Sequence, residues 1–213
     1  HDPANSGSAY KGDANVHVMD FVFENPGSAG YCDILVTGLT LTVENSLNNT
    51  IPASTVFSKI KIEDKGTSFV YGEINSIPDN RYLYFSFASP VIIPAGTGSN
   101  VTCSVKVNVS SFATATNFRL NLNSASYVRA IDENQSLYVT VTAKAPDVFP
   151  MRSDVINITA VNKLTVLHIN TMPATVSNGQ QGVKPFIIRF ANASDAPVSV
   201  HSITFTVENI SNT

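Results

Sequence analysis

The sequence predicts an all-β protein: an antiparallel β-sandwich, Ig-like or jelly-roll, of about nine strands, followed by the first strands of a second copy. Three observations predict this. Apolar and polar residues alternate with period two over several stretches, the pattern of strands with one buried face. Charged residues make up 14% of the 213-residue chain against 43% hydrophobic, so Ser, Thr and Asn must supply the polar surface. Such residues suit a pleated, half-buried surface better than a long helix. The third observation is an internal repeat.

Along the chain, Met19–Asn25 reads as an early strand, and Ile34–Val43 as a long one. Leu83, Phe85 and Phe87 alternate with Tyr82, Tyr84 and Ser86. Val101, Cys103, Val105, Val107 and Val109 alternate with Thr102, Ser104, Lys106 and Asn108. Phe118, Leu120 and Leu122 define another strand, and Leu137, Val139 and Val141 one more. Turn residues separate them at Asp64-Lys65-Gly66, Pro78-Asp79-Asn80, Pro94-Ala95-Gly96 and Asp132-Glu133-Asn134. No stretch reads as a helix. Short strands at this spacing specify a sandwich rather than a parallel α/β sheet.

The repeat relates Gly38-Leu39-Thr40-Leu41-Thr42-Val43-Glu44-Asn45 to Ser202-Ile203-Thr204-Phe205-Thr206-Val207-Glu208-Asn209, 164 residues on. Met19–Asn25 matches Phe186–Asn192 at 167, and Pro3-Ala4 matches Pro173-Ala174 at 170. Both copies slip phase at the same place, between Val36 and Leu39 and between Val200 and Ile203. One extra residue predicts a β-bulge or bend with Val36 and Leu39 both inward. The repeat divides the chain into a complete sandwich at 1–162 and an incomplete second copy at 163–213. Its strands near Phe186–Phe190 and Val198–Val207 cannot bury a core alone. They must pack on the first domain or join a sheet elsewhere.

Formal net charge is −3, without a basic patch for nucleic acid. No run of about 18 apolar residues is present to insert in a membrane. The opening His1-Asp2 reads as that of a mature or trimmed product. Nucleophile elbows, P-loops, dinucleotide fingerprints and metal-spaced histidine pairs are missing from the sequence, so no enzyme and no organic cofactor is expected.

The candidate sites are few. Cys32 and Cys103 are candidates for a disulfide, the alternative being two buried free thiols. Asp132, Glu133 and Asn134, with backbone carbonyls, are a candidate calcium site, although a hairpin turn favours the same residues. Seven Asn-X-Ser/Thr sequons fall at Asn48, Asn100, Asn108, Asn134, Asn157, Asn192 and Asn209. A chain rich in these residues generates several by chance. Tyr82, Tyr84 and Tyr138 lie on polar strand faces, where a sugar platform would need them.

Asn178-Gly179-Gln180 ahead of the Phe186 strand, the Phe190-Ala191-Asn192 strand end and Ser202–Val207 carry a family resemblance. With them the chain resembles the tandem Ig-like or cohesin-like β-sandwich repeats of prokaryotic cell-surface proteins. That resemblance implies an extracellular, non-catalytic, repetitive module of a surface layer, filament, adhesin stalk or scaffold. Its partners would be copies of itself, neighbouring repeats or surface polysaccharide. The alternatives are a carbohydrate-binding or cohesin-like recognition module, and an accessory portion of a large secreted enzyme.

Overall fold

The structure, a computed structural model, describes residues 2–3, 7–96, 98–160, 164–171, 173–192 and 198–206. The chain divides into two compact units, His1–Thr159 and Ala160–Thr213. The first contains β1 (Asp2–Pro3), β2 (Gly7–Tyr10), β3 (Val16–Glu24), β4 (Ile34–Glu44), β5 (Phe57–Asp64) and β6 (Val70–Ile74). It continues with β7 (Tyr82–Ile93), β8 (Asn100–Val109), β9 (Asn117–Leu122), β10 (Val128–Asp132), β11 (Met151–Arg152) and β12 (Ile156–Thr159). These exceed the nine strands expected because β1, β2, β11 and β12 have two to four residues, too few to show a period.

The first unit is an all-β sandwich. One sheet runs β1-β3-β8-β5-β6; the other runs β10-β4-β9-β12-β2, with β7 also on β4 and β11 on β9. Pairing is antiparallel except for β12 with β2. Met19, Phe21, Ile60, Ile62, Val105 and Val107 from the first sheet face Leu39, Leu41, Leu83, Phe85, Phe118 and Leu120 from the second in one buried core. Each such large side chain contributes about 1.5–3 kcal/mol when fully buried. Phe57 of β5 meets Phe118 of β9 edge to face, ring centroids 4.9 Å apart, and so joins the sheets.

The phase slip is a bulge. The β4–β7 register shifts between Val36 and Gly38, and both Val36 and Leu39 are 1% exposed. The β10–β4 register shifts at the same level, between Arg129 and Ala130. Arg129 Nη2 crosses Gly38 to donate to the Phe85 carbonyl at 2.8 Å. A Cβ on Gly38 would lie 2.2 Å from that carbonyl oxygen and 2.4 Å from the guanidinium, so the crossing requires glycine.

One expected strand is not a ladder element. Residues 137–142 form no strand and make a single isolated bridge, Tyr138 with Ile131. The alternation there reflects packing: Val139 and Val141 lie against the core, whereas Leu137 and Tyr138 are exposed.

The second unit contains β13 (Leu164–Asn170) and β14 (Phe186–Asn192), paired antiparallel from Leu164↔Asn192 to Asn170↔Phe186. The expected strand over Val198–Val207 does not form in described residues 198–206, and Val207 lies outside them. Its counterpart β4 is held by β7, β9 and β10, whereas among the described residues of this unit only β13 and β14 pair. Phe205 instead contacts Phe186, with centroids 5.4 Å apart.

Candidate functional site

The outer face of the first sheet carries an ionic ladder. Register places Asp20 opposite Ser104, and Ser104 opposite Glu63. Asp20 is almost fully buried, yet it accepts from Lys65 Nζ and Ser104 Oγ, each at 2.6 Å, and lies 2.6 Å from His17 Nε2. Glu63 is held by Lys61 at 2.7 Å and Lys106 at 2.5 Å. Burial pushes both carboxyls up. The hydrogen bonds of Lys65, Ser104 and His17 to Asp20, and of Lys106 and Lys61 to Glu63, outweigh burial and hold both below the ordinary carboxylate range.

On the outer face of the second sheet, Glu44 forms a similar node. It accepts from Arg119 Nη2 at 2.9 Å and Asn121 Nδ2 at 2.8 Å, with Arg152 Nε at 3.4 Å. Burial raises its pKa, and Arg119, Asn121 and Arg152 together bring it below the ordinary value. Beside it Tyr82 and Tyr84 lie with ring centroids 5.8 Å apart, and the Arg81 guanidinium sits 4.7 Å over Tyr82. Tyr138 belongs to a different edge, on the stretch after β10.

These depressed carboxyls fix the sign of the acid response. Unfolded carboxyls begin to take up protons near pH 4, while the folded ones resist protonation to lower pH. Their stabilisation is therefore complete at neutral pH and lost as pH falls through the folded values. The urea midpoint is expected to drop between pH 7 and pH 3, and to drop less in an Asp20→Asn/Glu63→Gln variant; equal drops would remove the ladder from the account.

A cleft of about 480 Å³ lies between the sheets beside β3. Phe21, Phe23, Val36, Leu122, Val141 and Phe149 are among the apolar residues lining it. At its rim both Glu24 carboxylate oxygens accept from Lys144 Nζ at 2.6 Å. Val22, Phe23 and Glu24 pair with Thr102, Val101 and Asn100 of β8 on one edge. Among the described residues no strand pairs with their other edge, because β1 reaches only Met19 and Asp20.

The residues singled out from the sequence are scattered over the first unit. Cys32 and Cys103 are both free here, the alternative of two unbonded thiols. Cys32 precedes β4 in a loop, and its sulfur faces the Asp132 turn, 3.8 Å from Oδ1, where it accepts the Asn134 N–H at 3.4 Å. Cys103 points into the core. Burial, with the charges of Asp64 and Asp20, pushes its thiol up to about 12, so it is no thiolate nucleophile. Asp132 closes its own turn by accepting the N–H of Gln135. Among the described residues no three His, Cys, Asp or Glu side chains cluster as metal ligands. Asn48, Asn100, Asn134, Asn157 and Asn192 are exposed. Asn108 is half-buried, its Oδ1 accepting the Asn15 N–H at 2.9 Å, and Asn209 lies outside the described residues.

Sequence reasoning missed the Asp20 and Glu44 nodes and the apolar cleft. Asp20 and His17 were separated by only three residues, but Lys65 and Ser104 join them through register, which no local pattern displays.

The fold and these sites define an all-β sandwich with paired carboxylates on both outer faces and an apolar cleft between the sheets. Comparison with family models, curated proteins and solved structures finds no match to the chain.

Proposed function

We propose that the chain is an extracellular structural module that assembles with copies of itself, as part of a surface layer, filament or adhesin stalk. The observation that carries this reading is the β13–β14 ribbon, a two-stranded sheet whose Val166, Leu167, Ile169, Phe186, Ile187 and Phe190 are each 40–56% exposed. An isolated ribbon is marginal in water, and its apolar residues gain by being covered. The ion-paired state of Asp20, Glu44 and Glu63 supports a non-catalytic role, since each carboxylate already has its partners.

Sedimentation of the full chain is expected to show association that grows with concentration and weakens at least tenfold in a Leu167→Lys/Ile187→Lys variant. A strictly monomeric chain at all concentrations would defeat the reading. The second reading, a carbohydrate-binding module, rests on the Tyr82–Tyr84 pair beside Arg81. A glycan array probed with the same chain separates the two.

A further inference from the structure

We propose that the outer face of the second sheet binds an acidic polysaccharide, one built of sugars that carry carboxylates. This deepens the carbohydrate reading, on which it rests, and does not depend on self-assembly.

Register builds the face. Tyr82 of β7 stands opposite Thr42 of β4, Thr42 opposite Asn121 of β9, and Asn121 opposite Arg152 of β11. Directly opposed residues share a face. The residues that alternate with this row, Leu41, Leu83, Leu120 and Leu122, lie in the core, so the row is on the outside. It crosses three strand spacings of about 4.8 Å, roughly 14 Å in all, which suits a stretch of polysaccharide better than a single ion. Tyr84 opposite Thr40, Glu44 opposite Arg119 and Gly38 opposite Arg129 flank it.

The two outer faces differ in the kind of charge they carry. Lys59, Lys61 and Lys106 lie on the first sheet, each within 2.7 Å of Glu73 or Glu63. Of the five arginines in the chain, Arg81, Arg119, Arg129 and Arg152 belong to the second sheet's face. Among the described residues Glu44 is the one carboxylate paired with any of them, close to Arg119 at 2.9 Å and looser with Arg152 at 3.4 Å. Arg81 gives a side-chain hydrogen bond to the Tyr82 hydroxyl, and Arg129 one to the Phe85 carbonyl. A guanidinium has five N–H donors, so each keeps several for a ligand. Its planar fork matches a carboxylate, which an ammonium does not.

Three features together select the ligand. Tyr84 is 64% exposed, whereas Arg81 already covers Tyr82, so Tyr84 presents the ring on which a sugar can stack. The arginines call for carboxylates. Asn121 Oδ1 is buried and has no donor among the described residues, while its Nδ2 donates to Glu44 and Asn123. A sugar hydroxyl supplies that donor, directly or through a bridging water. An acidic sugar brings the ring face, the anion and the hydroxyl at once. Phosphate or sulfate brings only the anion.

Calorimetric titration of the full chain tests this, with polygalacturonate, alginate and hyaluronan as probes and fully methyl-esterified polygalacturonate as the uncharged match. At least one acid is expected to bind, and the ester at least tenfold more weakly than polygalacturonate. Tyr84→Ala and Arg81→Gln/Arg152→Gln should each weaken binding at least tenfold with the urea midpoint unchanged. Lys59→Gln, on the opposite face, should bind as the parent does. No binding to any of the three acids overturns the proposal, as does an equal loss in Lys59→Gln and the arginine variant. An ester that binds as tightly as the acid also overturns it, but leaves the carbohydrate reading standing. Polyglutamate binding as tightly as the sugars would overturn it in favour of an acidic peptide.

Discussion

Replacing Gly38 with alanine is expected to lower the unfolding free energy of the sandwich by about 3 kcal/mol. The added methyl would stand 2.2 Å from the Phe85 carbonyl oxygen and 2.4 Å from Arg129 Nη2. The guanidinium can swing aside into solvent, but the carbonyl belongs to β7, whose Phe85 pairs with Leu39. Relief therefore requires the strands to separate at the bulge, where β7 and β10 both change register against β4. Chemical denaturation reads the loss. Adding Arg129→Ala to Gly38→Ala should recover only a minor part of it, because the backbone clash remains. A Gly38→Ala protein as stable as the parent would show that the bulge is not built around this close approach.

Phe118→Ala is expected to cost about 4 kcal/mol. Its ring is completely buried in β9 and stands edge-on to Phe57 of β5, at 4.9 Å and 89°. Removing it loses the transfer energy of the ring, leaves a void between the sheets and abolishes an aromatic pair worth about 0.5–1.5 kcal/mol beyond its area. Phe118→Leu, which refills most of the volume, should cost less than half as much. A loss below 1 kcal/mol for Phe118→Ala, on the scale of about 3–5 kcal/mol typical of such truncations, would mean that the sheets are joined elsewhere.

What the sequence displays and what it hides follow from the range of the interactions. The bulge was legible because a local break in alternation records it: Val36 and Leu39 are both apolar at an odd spacing. The Val101–Val109 strand was legible for the same reason. β13 was not, since apolar residues at 164, 166, 167 and 169 follow no period of two, as happens when neither face has a core to cover. Residues 198–206 show the reverse case, a clear strand pattern without a ladder, because pattern supplies a face and only neighbouring strands supply hydrogen bonds. Continuing the alternation of β4 backwards would put Cys32 inward, but the strand starts at Ile34 and the loop before it turns the sulfur toward Asp132. The cleft was invisible for a further reason. It is formed by Phe21 and Phe23 meeting Val141 and Phe149, more than 100 residues later in the chain.

The parallel pairing of β2 with β12 has a mechanical consequence. Gly7–Tyr10 and Ile156–Thr159 lie side by side in the same direction, and the Lys11 N–H extends the contact to the Thr159 carbonyl at 3.0 Å. Apart from the two-residue β1, they are the first and last strands of the sandwich in sequence. A force pulling residue 7 and residue 159 apart runs along both strands in opposite senses. It therefore loads their hydrogen bonds together, in shear, instead of peeling them one at a time. Tension applied between residues 7 and 159 is met by this clamp before it reaches the core behind it.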